Sequence, residues 1–143
     1  MKLALLVFSL LIINHARADE FSDLKAKKIE AIVKDPFANR KFRCETTLES
    51  GLKITENWLF FKTEPGSFLR MLGGITKKGT YTVADNVLNL QESISITSMG
   101  KELPSDKSWS YKYKLTKLGF EYIHEANDKK LLYECIISGS TVR

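Results

Sequence analysis

Gly79-Thr80-Tyr81-Thr82-Val83-Ala84-Asp85-Asn86-Val87-Leu88-Asn89-Leu90 decides the fold class of this chain. Apolar and polar residues alternate on both sides of Asp85-Asn86, a dipeptide suited to a two-residue hairpin turn. Folding about that turn sets Val83 against Leu88 and Tyr81 against Leu90 on one side. On the other side Thr82 meets Asn89 and Thr80 meets Gln91. One face is wholly apolar and the other wholly polar. A slip of one residue would turn the whole apolar set to water, so the register is strongly specified.

The same period of two runs outward in both directions. Downstream, Trp109, Tyr111, Tyr113 and Leu115 alternate with Ser110, Lys112 and Lys114. Gly119 permits a turn, and Phe120, Tyr122 and His124 follow in alternation with Glu121, Ile123 and Glu125. A turn at Asn127-Asp128 pairs His124 with Leu131, Tyr122 with Tyr133, Phe120 with Cys135 and Glu125 with Lys130. Upstream, Phe42, Cys44, Thr46 and Leu48 share a side, and Glu49-Ser50-Gly51 forms a three-residue loop. Leu52, Ile54, Glu56, Trp58 and Phe60 return on that side, with Cys44 opposite Glu56 and Phe42 opposite Trp58. Pro65-Gly66 then turns the chain into Phe68–Leu72.

Strands are thus predicted over about 41–48, 52–62, 67–72, 79–84, 87–96, 108–116, 119–126 and 129–138, joined by hairpin-like connections. Residues 100–107 read as a long loop. An antiparallel meander of eight strands can close on itself and lose its exposed edges. Cys44 on the first strand and Cys135 on the last both alternate inward. In a closed barrel those strands are neighbours, and a disulfide there would pin the seam over a loop of about ninety residues. The expected fold is mainly β: an eight-stranded antiparallel up-and-down barrel over residues 37–143, preceded by one helix within 19–36. Leu24, Ile29, Ile32 and Val33 give the helix its apolar face over Phe21–Lys34, and Asp35-Pro36 ends it.

The segment Lys78–Leu90, with its Gly79-Thr80-Tyr81 opening, resembles the hairpin of bacterial lipocalin-like and META-type small β-domains. Trp58-Leu59-Phe60-Phe61 and Trp109-Ser110-Tyr111-Lys112-Tyr113 are similar to them in style. The resemblance implies a lipocalin-like barrel in the cell envelope, with a ligand cavity.

The first eighteen residues read as an address. Met1-Lys2 is a positive start, Leu3 to Ile13 is apolar apart from Ser9, and Ala16-Arg17-Ala18 offers small residues for cleavage before Asp19. The apolar run falls well short of the roughly 20 residues a bilayer span needs. A soluble periplasmic or secreted protein, without stable membrane insertion, is therefore expected. Loss of Lys2 and Arg17 lowers the formal net charge from +5 to +3, a weak basis for nucleic-acid binding. An oxidising compartment and an even cysteine count favour the Cys44–Cys135 bridge.

Catalytic chemistry finds little support. Outside the first eighteen residues the only histidine is His124, with no nucleophile motif near it in sequence. No His/Cys ligand spacing points to a metal, and no cofactor motif is present. Glu56 is the one carboxylate that alternation sets on an otherwise apolar inward face; the favoured expectation is that a bulge turns it outward or that it sits at an open end of the barrel, and the alternative is a buried carboxylate that orients a polar ligand group. The inward aromatics carry the functional expectation: Trp58, Phe60, Tyr81, Trp109, Tyr111, Tyr113, Tyr122 and Tyr133, with His124 beside them, as a lining for a small amphipathic or apolar ligand. A filled aromatic core is the alternative. The second expectation is a monomeric protein-binding inhibitor or immunity-type factor, meeting an envelope or secreted protein through the loops at Gly73-Gly74 and Gly100–Lys107.

Overall fold

The structure, a computed structural model, describes residues 22–27 and 34–141. Residues 22–27 are helical; the remainder of the expected helix up to residue 33, and the expected signal sequence, lie outside the described residues. The chain divides after Pro36, and the second unit begins at Phe37.

Among its described residues, nine antiparallel strands build that unit: β1 Arg40–Thr47, β2 Lys53–Phe61, β3 Gly66–Leu72, β4 Ile75–Ala84, β5 Val87–Ile96, β6 Glu102–Pro104, β7 Ser108–Leu115, β8 Gly119–Ala126 and β9 Lys129–Ser140. Their order is β4-β3-β2-β1-β9-β8-β7-β5-β6, and a further pairing of β4 with β5 closes the ring. All strands but β6 make up the eight-stranded up-and-down barrel. The expected registers hold, among them Phe42↔Trp58, Tyr81↔Leu90, Val83↔Leu88 and Tyr122↔Tyr133. Asp85-Asn86 and Asn127-Asp128 turn with both residues at positive φ, as a tight primed turn requires.

Two elements differ from expectation. β6 lies within the stretch expected as a loop and pairs with Ile94–Ile96 at the end of β5. β7 pairs with β5 only as far as Gln91↔Ser108, which leaves that edge of β5 open for the chain to fold back on. Strand β4 starts at Ile75 rather than 79, because a bulge between Lys78 and Gly79 carries the pairing onward. Glycine is required there: a Cβ on Gly79 would stand 1.9 Å from the Gln91 carbonyl oxygen.

Cys44 and Cys135 form a disulfide between directly opposed residues of β1 and β9, with their Cα atoms 3.9 Å apart. The bridge joins the first and last strands, as the alternation implied.

The barrel interior has two halves. Around the start of β1, rings fill it. Phe37 is wholly buried and packs at centroid distances of 5.8, 5.0, 5.0 and 4.9 Å against Phe42, Phe60, Tyr113 and Phe120. Phe68, Tyr81, Leu88 and Leu90 complete this core. Most of these ring pairs meet edge to face or tilted, the arrangement aromatic quadrupoles favour. Toward the turns at Gly73-Gly74 and Asn127-Asp128, the interior becomes polar.

Candidate functional site

Glu56 and Arg70 anchor the polar half. Alternation along β2 and β3 turns both inward, and both are buried. The Arg70 guanidinium grips the carboxylate with two bonds, Nε donating to Oε2 and Nη2 to Oε1, each at 2.7 Å. Trp58 Nε1 donates to Glu56 Oε2 at 2.8 Å, and the Arg70 guanidinium lies 4.8 Å from the Trp58 ring centroid. Arg70 Nη1 donates to the Tyr111 hydroxyl at 3.3 Å. Glu56 therefore stays inside because its charge is paired and its lone pairs are used, the condition for keeping a carboxylate in a core. The expectation of an outward bulge or an open-end position for Glu56 is thus corrected: the β1–β2 register runs through Cys44↔Glu56 without a shift, and the side chain is wholly buried.

Three tyrosines and His124 surround this pair. Burial, then the Glu56 charge, holds the Tyr122 hydroxyl far above its usual range and pushes Tyr133 up to about 12. Burial also raises Tyr111, against the pull of Arg70. All three remain protonated donors at neutral pH. Burial and the positive charge of Arg70 lower the His124 pKa below its ordinary 6.5, so the ring is neutral at pH 7. The Tyr122 hydroxyl is buried and has no hydrogen-bond partner among the described residues.

Beside this group the barrel wall opens. β7 and β8 pair only at Leu115↔Phe120, Lys114↔Glu121 and Tyr113↔Tyr122. Both strands run on past Tyr113 and Tyr122, yet the ladder stops. A cleft of about 670 Å³ occupies the gap. Its inner floor is aromatic: the Tyr111 ring lies 4.7 Å from Tyr122 and 5.7 Å from His124. Lys112, Lys114, Glu121, Ile123 and Glu125 rim it on the outer face, and Trp109 lines it on the β7 side.

Of the residues expected to line a binding site, Trp109, Tyr111, Tyr113, Tyr122 and His124 come together at this cleft. Tyr111, Tyr113 and Tyr122 are at the same time buried members of the core; Trp58, Phe60, Tyr81 and Tyr133 belong to that core without lining the cleft, and pack against other rings. Arg70 escaped the sequence reading. Its signal was there, since Phe68, Arg70 and Leu72 alternate on one side, and an inward cation calls for an inward anion such as Glu56. A second buried carboxylate, Glu92, continues the inward row of Leu88 and Leu90. Lys77 Nζ lies 3.6 Å from Glu92 Oε2 and 4.7 Å from the Trp109 ring centroid.

Among the described residues, no group of three His, Cys, Asp or Glu side chains converges to hold a metal ion. His124 faces the rings of Tyr111 and Tyr133. The arrangement offers an aromatic surface, unspent hydroxyl hydrogen bonding and a neutral imidazole, which together suit binding. Comparison with protein-family models, with curated proteins and with solved structures finds no match to this chain.

Proposed function

We propose that this chain is an exported binding protein that takes an amphipathic ligand in the cleft between β7 and β8. The observation that carries the reading is the cleft floor. Tyr111, Tyr122 and His124 lie side by side at a cleft of about 670 Å³, and the buried Tyr122 hydroxyl lacks a hydrogen-bond partner among the described residues. The apolar body of a ligand rests on the rings, and its polar group bonds the hydroxyl. That bond offsets a desolvation cost of about 1–3 kcal/mol. Neutral His124 supplies one donor and one acceptor at the same floor. Export is supported by the address pattern over residues 1–18 and by the Cys44–Cys135 disulfide, which persists in oxidising compartments.

Native mass spectrometry of the protein purified from its own compartment tests this. A reproducible added mass is expected in the parent protein. Trp109→Ala, which removes a half-buried ring from the cleft, should weaken capture at least about tenfold. Tyr122→Phe should weaken it by roughly 2- to 12-fold, the worth of one hydrogen bond. Unchanged ligand occupancy in both variants would exclude the cleft.

A second reading, action on an envelope protein, rests on the loops at the same end of the barrel. A Cβ on Gly74 would stand 3.2 Å from the Ser98 side chain, so the β3–β4 turn and the β5–β6 connection lie together, and Met99 there is 90% exposed. Recovery of one envelope protein by pull-down, lost when residues 100–107 are replaced by Gly/Ser, would favour it.

A further inference from the structure

The backbone, as well as the side chains, shapes the cleft between β7 and β8. Tyr113 N donates to Asn86 O at 2.9 Å and Glu92 N to Lys107 O at 2.8 Å. Odd-numbered residues of β7 therefore turn their peptide groups to β5, and Ser110 and Lys112 turn theirs away from it, toward β8. On β8, Thr116 N donates to Gly119 O at 2.9 Å, and Ile137 N to Leu118 O at 2.8 Å. Odd-numbered residues of β8 thus face β7, among them Ile123 and Glu125. The ladder ends at Tyr113↔Tyr122. The N–H and C=O groups of Ser110 and Lys112 consequently line one wall of the cleft, and those of Ile123 and Glu125 line the other, without a strand partner among the described residues.

We propose that the cleft's ligand is an extended peptide segment of a partner protein, laid antiparallel on β7 with an acidic side chain opposite Lys112. This rests on the cleft being the binding site and specifies what occupies it. Peptide groups that face the same way along a strand recur at about 6.6–6.8 Å, the spacing of another extended chain and of no acyl chain. Addition of a strand would extend the ladder that stops at Tyr113. The peptide residue opposite Tyr111 would point inward onto the aromatic floor, and an apolar side chain suits it. The residue opposite Lys112 would point outward beside the ammonium group. Charge selects β7 over β8 as the receiving edge. Glu121 and Glu125 of β8 are already bonded to Lys114 and Lys130, at 3.4 and 3.1 Å. Lys112 is exposed and makes no ion pair among the described residues. An opposite charge directly across the strands is the favourable cross-strand pair.

The test uses a dye-labelled heptapeptide of alternating glutamate and valine, followed by fluorescence anisotropy with the full chain. In the proposed pairing the glutamate nitrogens face β7 and the valine nitrogens face away. N-methylation of the glutamate nitrogens should weaken binding at least tenfold, and N-methylation of the valine nitrogens much less. Lys112→Glu should weaken the glutamate peptide at least fivefold and favour a lysine–valine peptide instead. Equal binding of the two N-methylated peptides overturns the proposal. So does a failure of every peptide while laurate still quenches Trp109 fluorescence, a result that keeps the cleft as a binding site for a different ligand. Failure of peptides and laurate alike removes both the proposal and the reading beneath it.

Discussion

Glu56 accepts two bonds from Arg70 and one from Trp58 in a site closed to water. Such a pair is a poor source of net stability, because desolvating two charges costs much of what their attraction returns. Breaking it is another matter. Arg70→Met strands a buried carboxylate, and urea unfolding should show a loss of about 3–5 kcal/mol. The double variant Glu56→Leu/Arg70→Met should recover most of that loss; equal stability of the single and double variants would show that the pair is not coupled. His124 makes a pH prediction. Its folded pKa lies below the ordinary 6.5, because burial and Arg70 disfavour the imidazolium. Unfolding therefore takes up a proton between those two values. The contribution is complete above about pH 6.5 and is lost as pH falls below it. Glu56 pulls the other way, and Lys77 adds to the effect of Arg70. Melting temperatures at pH 7.5 and 5.5 should differ more for the parent protein than for His124→Asn, and an equal difference would refute the assignment. The alternation of β2 raises an inward Glu56, but an outward bulge or an open end is the favoured expectation while no partner for a buried carboxylate is found in the sequence. Its partner Arg70 was missed because the short segment Phe68–Leu72 was read only for its apolar residues.

At the scale of elements, glycine governs how closely strands approach. A Cβ on Gly119 would stand 2.1 Å from the Cys135 carbonyl oxygen and 3.1 Å from Ile136 Cα, both backbone atoms that have no rotamer to give. Gly119→Ala should cost at least about 1–3 kcal/mol and loosen β8 from β9 beside the disulfide; an unchanged urea midpoint would contradict this. Hairpin registers were readable in the sequence because one face had to be apolar, and Tyr81↔Leu90 and His124↔Leu131 follow from that alone. The opening between β7 and β8 was not readable. Alternation would pair Tyr111 with His124 as readily as it pairs Tyr113 with Tyr122, and no Pro or Gly marks the place where pairing ends. β6 escaped for a related reason: three residues carry too little period to be told from a loop.

At the scale of the whole molecule, closure depends on the β1–β9 seam. The disulfide across it spans 91 residues of sequence. Cys44→Ser/Cys135→Ser should lower stability by roughly 4–5 kcal/mol on the chain-entropy model. A melting temperature unchanged by the double substitution would show that closure is secured by other contacts. Eight strands leave room either for side chains or for one small ligand. Composition could not choose between these, because the same tyrosines serve both. The structure fills one half with rings, with Phe37 from outside the strands at the end, and carries its candidate site through the wall instead. That opening is the premise of the proposed function and of its peptide ligand. Amide hydrogen exchange of the intact chain, resolved by NMR over residues 108–126, tests it most directly. Ser110, Lys112, Ile123 and Glu125 should exchange fast, while Trp109, Tyr111, Tyr122 and His124, bonded to β5 or β9, stay protected. Equal protection of both sets would mean a continuous β7–β8 ladder and no cleft.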